Sequence, residues 1–345
     1  MKKDTTISNR KNEHIHINLL EDVNSGRQTG LEQYHFIHQA LPEISLSDVD
    51  LSQTLFGKRQ SVPVLVSSMT GGSEEGERIN RNLAVAAQEV GMAMGVGSQR
   101  AAISDPSLES TFKIRRLAPD ILLFANLGAV QLNYGFTIQE CQRAVDMIEA
   151  DGLILHLNPL QEALQPKGNT DFGGLAKKIA EVRKAIHVPL IVKEVGWGIS
   201  IQTAQLLYDA GVDAVDVAGA GGTSWSQVEK NRIVEEFGQQ TAGSFIDWGI
   251  PTADSLANVL SVHPEWIVFA SGGLVNGIDI AKCIALGARM GGMAGRFLKA
   301  ASISEESAVN VMHMIADQIR IAMFASGSRT LADLTPDKLT RLAKG

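Results

Sequence analysis

The chain has 345 residues, with 31 Lys+Arg against 38 Asp+Glu, giving a formal charge of −7. With 44% hydrophobic and 20% charged residues it can fill a sizeable core, which excludes a disordered chain, and its acidity argues against non-specific nucleic-acid binding. Cys141 and Cys283 stand far apart without CxxC spacing, which argues against a disulfide framework or structural zinc and suits a reducing compartment.

No apolar stretch follows the basic N-terminus MKKDTTISNRKNEHIHIN, and no run approaches the ~20 residues of a membrane span, so the sequence reads as a cytoplasmic protein without a membrane partner. Residues 1–60 hold four of the eight histidines and no strong strand. They read as an N-terminal extension covering a barrel that occupies 61–345. Within the extension Arg10, Lys11 and His14 form a basic cluster that gains a purpose only beside a partner such as Arg100.

Eight short apolar runs follow, at 62–67, 91–96, 121–127, 153–157, 189–195, 214–218, 266–270 and 288–294. Most are continuous rather than alternating, as strands buried on both faces are. Segments 79–90, 138–149, 174–186 and 200–210 carry apolar residues near a period of 3.6 and predict amphipathic helices, with Gly91, Gly152, Gly211 and Gly287 as helix stops. An apolar helix over 309–324 closes the chain. Strand starts fall mostly ~25 to 35 residues apart, the cadence of an α/β fold of the (β/α)8 TIM-barrel type. A doubly wound sheet is the alternative, because periodicity does not encode strand order. The interval 219–251 is longer than a normal connection and holds two of the four tryptophans, which predicts a lid or a subunit contact.

In a (β/α)8 barrel the residues just after each strand share one rim. Here they are SSMTGG (67–72), GSQR (97–100), ANLG (125–128), HLNPLQE (156–162), KEVGWG (193–198), AGAGGTSW (218–225), SGGLVNG (271–277) and AGRF (294–297). Glycines let a ligand approach the backbone closely, and the loops after strands seven and eight are the recurrent phosphate position of such barrels. Lys193 ends an apolar strand, where an ammonium needs an anion: either Glu194 or Glu162, or a ligand. His156, Asn158, Gln161 and Glu162 fall within seven residues. Glu162 is suited to Mg2+, which prefers oxygen donors, or to capping a helix. From residue chemistry alone this is a phosphate-binding barrel enzyme.

Taken together these motifs, from RKNEH (10–14) through HLNPLQE and GAGGTSW to GGMAG, resemble the FMN-dependent type 2 isopentenyl-diphosphate isomerase family over nearly the whole chain. The resemblance implies interconversion of isopentenyl and dimethylallyl diphosphates in isoprenoid biosynthesis, with FMN, Mg2+ and NADPH or NADH as flavin reductant. It implies that reduced FMN acts as an acid/base catalyst without net redox change. By position, Ser68, Met69, Thr70, Ser98, Asn126, Lys193, Ala218, Thr223, Gly272, Gly273, Leu274, Ala294 and Gly295 are expected to hold FMN. Arg10, Lys11, His14, Ser98, Gln99, Arg100 and Asn158 are expected at the diphosphate substrate. Gln161 is placed against the reacting hydrocarbon, His156 beside it in orienting substrate or relaying protons, and Glu162 on Mg2+. A homo-oligomer, tetramer or octamer, is expected.

The rival is an FMN barrel oxidoreductase of the 2-hydroxy-acid oxidase type. Those enzymes resemble one another in a histidine-glycine-arginine stretch on a late rim loop; here the comparable residues are Ala218 to Thr223, with no base. A barrel dehydrogenase resembling inosine-phosphate dehydrogenase needs a cysteine nucleophile, and both cysteines fall in predicted helices.

Overall fold

In this computed structural model residues 5–342 are described. Eight parallel strands close into a barrel in chain order: β1 (Val64–Val66), β2 (Ala93–Gly95), β3 (Leu123–Gly128), β4 (Gly152–His156), β5 (Leu190–Lys193), β6 (Ala214–Asp216), β7 (Ile267–Ser271) and β8 (Met290–Met293). β8 pairs with β1, so the doubly wound alternative is overturned. All eight apolar runs of the sequence hold a barrel strand.

The runs are continuous because each strand is covered on both sides. On β1, Leu65 points into the barrel, while Val64 and Val66 join the apolar shell under the helices. The floor of the barrel is a packed layer in which Phe124, Ile154, Ile191, Phe269 and Met290 meet Leu65. A hairpin of Gln53–Leu55 and Lys58–Gln60 stops this end from below. Its turn residue Phe56 sits edge-on to Phe124 at 6.3 Å and Phe269 at 6.5 Å. Toward the opposite end the strands carry Asn126, His156, Lys193, Asp216 and Ser271, so the interior changes from hydrocarbon to polar groups along its axis.

Local signals set most helix limits. Helix Glu74–Val90 begins five residues before its apolar stripe, because Ser73 caps it by accepting from the Gly76 amide and its first turn is polar. Thr137 and Glu140 form a capping box at helix Ile138–Ile148, and Ser200 caps Ile201–Asp209. Gly91, Gly211 and Gly287 take the left-handed conformation that ends a helix. Gly152 does not: Glu149 takes that conformation at φ 52, and Gly152 is already the first residue of β4. There a Cβ would stand 3.0 Å from the Phe124 ring, so the glycine serves packing rather than helix termination. The final helix, Glu305–Ala325, packs on Glu74–Val90 and on Gly277–Ala285. Among the described residues no helix is long and apolar enough to cross a membrane.

The barrel floor gives a stability test. Phe124→Ala removes a wholly buried ring packed between Phe56 and Phe269 and is expected to lower unfolding free energy by about 3–5 kcal/mol in urea denaturation; a loss below about 1 kcal/mol would mean that this layer is not close-packed.

Candidate active site

The polar ends of the strands open into a cavity of roughly 520 Å3. One wall is made by the expected cofactor residues: Ser68, Met69 and Thr70 after β1, Ser98 after β2, Asn126 in β3, Lys193 in β5, Ala218 and Thr223 after β6, Gly272 to Leu274 after β7, and Ala294 with Gly295 after β8. The glycines are required by close approach of two loops. Gly272 and Gly273 have φ of +105° and +74°, and a Cβ there would stand 2.1 Å from the Gly219 carbonyl oxygen and 2.4 Å from that of Gly221. Gly295 opens the helix Gly295–Ile303 into the cavity, with nothing within 4 Å of where a Cβ would be. The hydroxyls of Ser67, Ser68 and Thr70 are buried without a hydrogen-bond partner among the described residues. Bare hydroxyls beside a helix start and backbone-lined turns fit a polar, phosphate-bearing cofactor such as FMN.

The helix Thr5–Leu20 brings Arg10, Lys11 and His14 to the same cavity. Lys11 Nζ donates to the Ser98 carbonyl at 2.9 Å and lies 4.8 Å over the Phe112 ring. Arg10 reaches Gln165 at 3.5 Å, and Arg100, after β2, donates to Asn169 at 3.1 Å. Burial, then the charges of Arg232 and Arg100, pull the Arg10 guanidinium below its ordinary value. Burial, then Arg10, pull the Lys11 ammonium down to about 7. Cations gathered and dehydrated in this way make a receptor for a multiply charged anion. Gln99 is the exception among the expected residues. It is wholly buried outside the cavity, its carbonyl accepting from the Asn126 amide at 2.9 Å and its amino group donating to Ala144 at 2.9 Å, so it braces the floor of the rim instead of touching a ligand.

The β4 loop supplies the third part. His156 Nδ1 donates to Asn126 Oδ1 at 2.8 Å, and burial, then Lys193, hold the ring neutral with a pKa near 4. Asn158 donates to Gln161 at 3.1 Å and to Glu162 at 3.1 Å. Glu162 also accepts from the Asn169 amide at 2.6 Å and from Gln165. Among the described residues no group of three or more His, Cys, Asp or Glu side chains is arranged for a metal. One buried carboxylate on a phosphate-binding cavity nevertheless fits Mg2+, which takes one or two carboxylates and completes its shell with phosphate oxygens and water. Lys193 pairs with neither Glu162 nor the Glu194 carboxylate: it donates to the Glu194 backbone carbonyl at 2.6 Å and lies 3.9 Å from Asp216.

Sequence reading missed Glu229, which no part of the surface exposes. It belongs to helix Trp225–Arg232, the first element of the 219–251 interval. Gln161 donates to its Oε1 at 3.2 Å, His14 Nε2 lies 3.2 Å from the same oxygen, and Arg232 holds Oε2 at 2.6 Å. Burial works to raise the Glu229 carboxyl, but His14, Arg232 and Gln161 outweigh it and hold it below its ordinary value. Trp225 of the same helix meets the His14 ring edge-on at 5.1 Å. This helix therefore roofs the cavity, while Val234, Phe237 and Trp248 further along the interval are exposed. The only sequence signal for Glu229 is its spacing to Arg232, which an ordinary solvated helix also shows. The cysteines carry no chemistry here: both are buried in helices, and burial pushes the Cys141 thiol up to about 12 and the Cys283 thiol higher still.

Sulfate keeps the same charge between pH 6 and 8 and so reports on the cationic cluster alone. Because the protonated Lys11 is the form that attracts an anion, sulfate affinity is expected to fall several-fold as pH rises through about 7, and Lys11→Met is expected to lower affinity at pH 6 and flatten the profile. Calorimetric titration checks this; an unchanged slope in the variant would remove Lys11 from the anion site.

Residues 161–341 match the family of FMN-dependent dehydrogenases. Among solved structures, the chain superposes on a mandelate oxidase holding (S)-2-phenylpropionate with a TM-score of 0.67 at 17% identity, over 96% of this chain and 93% of that one. It superposes on a variant of flavocytochrome b2 with a TM-score of 0.70 at 18% identity, over 95% and 82%. These likenesses show the barrel fold. Much nearer in sequence are two proteins named isopentenyl-diphosphate delta-isomerase. That of Rickettsia africae is 51% identical over 325 residues, 94% of this chain and 95% of the relative, and that of Rickettsia bellii 50% identical over 330 residues, 96% of each. At this identity over nearly the full length, the chain belongs to the isopentenyl-diphosphate delta-isomerase family and is an isomerase built on the barrel of the FMN-dependent dehydrogenases.

Proposed function

We propose that the enzyme interconverts isopentenyl and dimethylallyl diphosphates, with FMN brought to its reduced form by NADPH or NADH and with Mg2+ on the diphosphate. The observation that carries this reading is the meeting, in one cavity, of the basic arm Arg10, Lys11 and His14 with the Gln161, Glu162 and Glu229 cluster, beside a wall suited to FMN. The reaction adds a proton at one carbon and removes another from its allylic neighbour. An alkene is a very weak base, so positive charge developing on carbon must be stabilised in a dry site. Reduced FMN, when bound, supplies an electron-rich ring and a protonatable nitrogen for that chemistry.

The chain's own residues do the rest. Arg10, Lys11, Ser98 and Arg100 hold the diphosphate, and Glu162 takes the Mg2+ that offsets its charge. Asn158 fixes both Gln161 and Glu162 by donating to each. Gln161, its amide oriented by Asn158 and Glu229, faces the hydrocarbon with a carboxylate directly behind it. His156, neutral and tied through Nδ1 to Asn126, orients the substrate or passes a proton through Nε2. Self-assembly of the enzyme in the cytoplasm is supported by the exposed Val234, Phe237 and Trp248 on the long interval and by the two unpaired cysteines.

The oxidase alternative shares the fold, and its weakness is the loop after β6, where Ala218 to Thr223 offer no base. Incubation of isopentenyl diphosphate with enzyme, FMN, Mg2+ and reductant, followed by NMR, is expected to show the allylic isomer; reduction of the flavin by a 2-hydroxy acid instead would establish the rival. Gln161→Asn is expected to lower kcat at least a hundredfold while FMN affinity stays within about threefold; equal losses in both would make Gln161 a structural residue. Glu162→Gln is expected to raise the Mg2+ concentration at half-maximal rate about tenfold or more, and an unchanged metal titration would withdraw that assignment.

A further inference from the structure

Lys193, in the cofactor wall of the cavity, faces a buried carboxylate that has no part in the reading above. Asp216 ends β6 with no exposed side-chain surface, and its neighbour in register on β5 is Lys193. Its Oδ1 accepts from the Ser271 hydroxyl at 2.6 Å and from the Ala218 amide at 3.3 Å. Its Oδ2 is buried without a hydrogen-bond partner among the described residues and faces the Lys193 ammonium across 3.9 Å. That gap is too long for a hydrogen bond. Lys193 donates instead to the Glu194 carbonyl, and it lines the cavity.

A buried carboxylate with a bare oxygen is costly unless it offsets another charge. Asp216 is the group placed to do so. Of the other titratable side chains facing Lys193, His156 on β4 is neutral, and the Glu194 carboxylate is turned onto the backbone amides of Val195, Gly196 and Trp197. Burial outweighs Lys193 and the Ser271 hydroxyl and leaves the Asp216 carboxyl above its ordinary value, while those two partners pull toward the ionised form. The separation matters as much as the sign. A carboxylate in hydrogen-bond contact would consume the ammonium's donors; one at 3.9 Å supports the charge and leaves donors for whatever occupies the cavity.

We propose that Asp216 is a positioning residue that acts through Lys193, sustaining a cation with unspent N–H bonds against the cofactor and thereby favouring the cofactor's reduced form. This rests on the reading that the cavity holds FMN. Two-electron reduction adds negative charge to a flavin, and a neighbouring cation stabilises the reduced form over the oxidised one. Loss of Asp216 leaves Lys193 without its facing carboxylate, and the ammonium is no longer held against the cofactor.

The test is the midpoint potential of bound FMN at pH 7 in the wild type, Asp216→Asn, Lys193→Met and the double variant. Asn retains an oxygen for the Ser271 hydroxyl, so the substitution removes charge with little change in shape. Each single variant is expected to weaken the preference for reduced over oxidised FMN about tenfold, which is about 30 mV for a two-electron couple. The double variant is expected to fall no further than Lys193→Met alone. A potential at or above the wild-type value in Asp216→Asn, or additive losses in the double variant, would overturn the proposal. Asp216→Ser carries the same expectation with a smaller side chain; failure of both Asp216 variants to fold while Lys193→Met folds would show a structural role instead. A wild-type protein that takes up no FMN overturns the cofactor reading itself, an outcome distinct from loaded variants with unshifted potentials.

Discussion

A single carboxylate without solvent contact, that of Glu229, ties three distant stretches of chain together at the substrate end of the barrel. His14 comes from the N-terminal helix, Gln161 from the β4 loop and Arg232 from the roof of the cavity, and all three converge on its two oxygens. Dehydrating such a charge costs several kcal/mol, and removal of one partner from a buried pair costs about 3–5 kcal/mol, so the arrangement is stable only when complete. The N-terminal helix depends on it. Its sequence, TTISNRKNEHIHINLL, has no apolar stripe, and its contacts are largely polar: Glu13 with Arg232, His16 with Glu75, Lys11 with the Ser98 carbonyl. Apart from Ile15, buried in the core with Leu19 packed beside it, the helix is held by polar contacts, so the cationic arm keeps its place through the roof and the β4 loop.

The same barrel serves oxidases of 2-hydroxy acids, and the loop after β6 accounts for why this one does not read as an oxidase. Ala218 there has φ +37, and the glycines after it are packed backbone to backbone. A Cβ on Gly219 would stand 2.3 Å from Thr252 Cα, one on Gly221 2.7 Å from the backbone of Thr29, and one on Gly222 2.5 Å from the Gly273 amide. A loop filled in this way has no room for an imidazole base or a guanidinium clamp. In the proposed function, proton handling falls instead to the β4 loop and the roof above it, where Gln161 and Glu229 meet. On that proposal one scaffold gives two chemistries by moving the titratable groups from one strand end to another.

The strands were legible because a parallel barrel buries both faces of every strand, and continuous apolar runs leave few other readings. Even the glycine-rich eighth run holds a strand, its small residues allowing Ser67 and Ser271 to close over Gly292. Helix ends were less legible: Gly152 carried the signal of a helix stop, whereas Glu149 took the left-handed position and Gly152 was needed against Phe124. At the site, almost every residue marked by motif position lines the cavity, since loops after barrel strands share one rim by construction. It failed at Gln99, whose neighbours Ser98 and Arg100 do line the cavity while its own amide turns into the core. It failed also at Glu229 and Asp216, because the burial of a charge is a property of the packed molecule: Glu229 stands in a polar stretch like any solvated carboxylate, and Asp216 is a lone acid inside the apolar run 214–218.

The polarity of the interior follows from the same layering. Phe56, Phe124 and Phe269 seal the floor, so the groups above them are dehydrated from below, and the roof helix with the N-terminal arm covers them from above. Dehydration has opposite consequences at the two ends of the cavity. At Arg10 and Lys11 it destabilises clustered cations and strengthens their attraction for an incoming anion. At His156 it removes a charge: burial together with Lys193 keeps the imidazole unprotonated, its Nδ1 hydrogen spent on Asn126. An imidazolium at that strand end would repel positive charge developing on carbon, whereas a neutral ring presents only a lone pair. In the proposed function, cations are therefore gathered where a diphosphate has charge to meet them, and His156, beside the Lys193 ammonium, adds no second charge there.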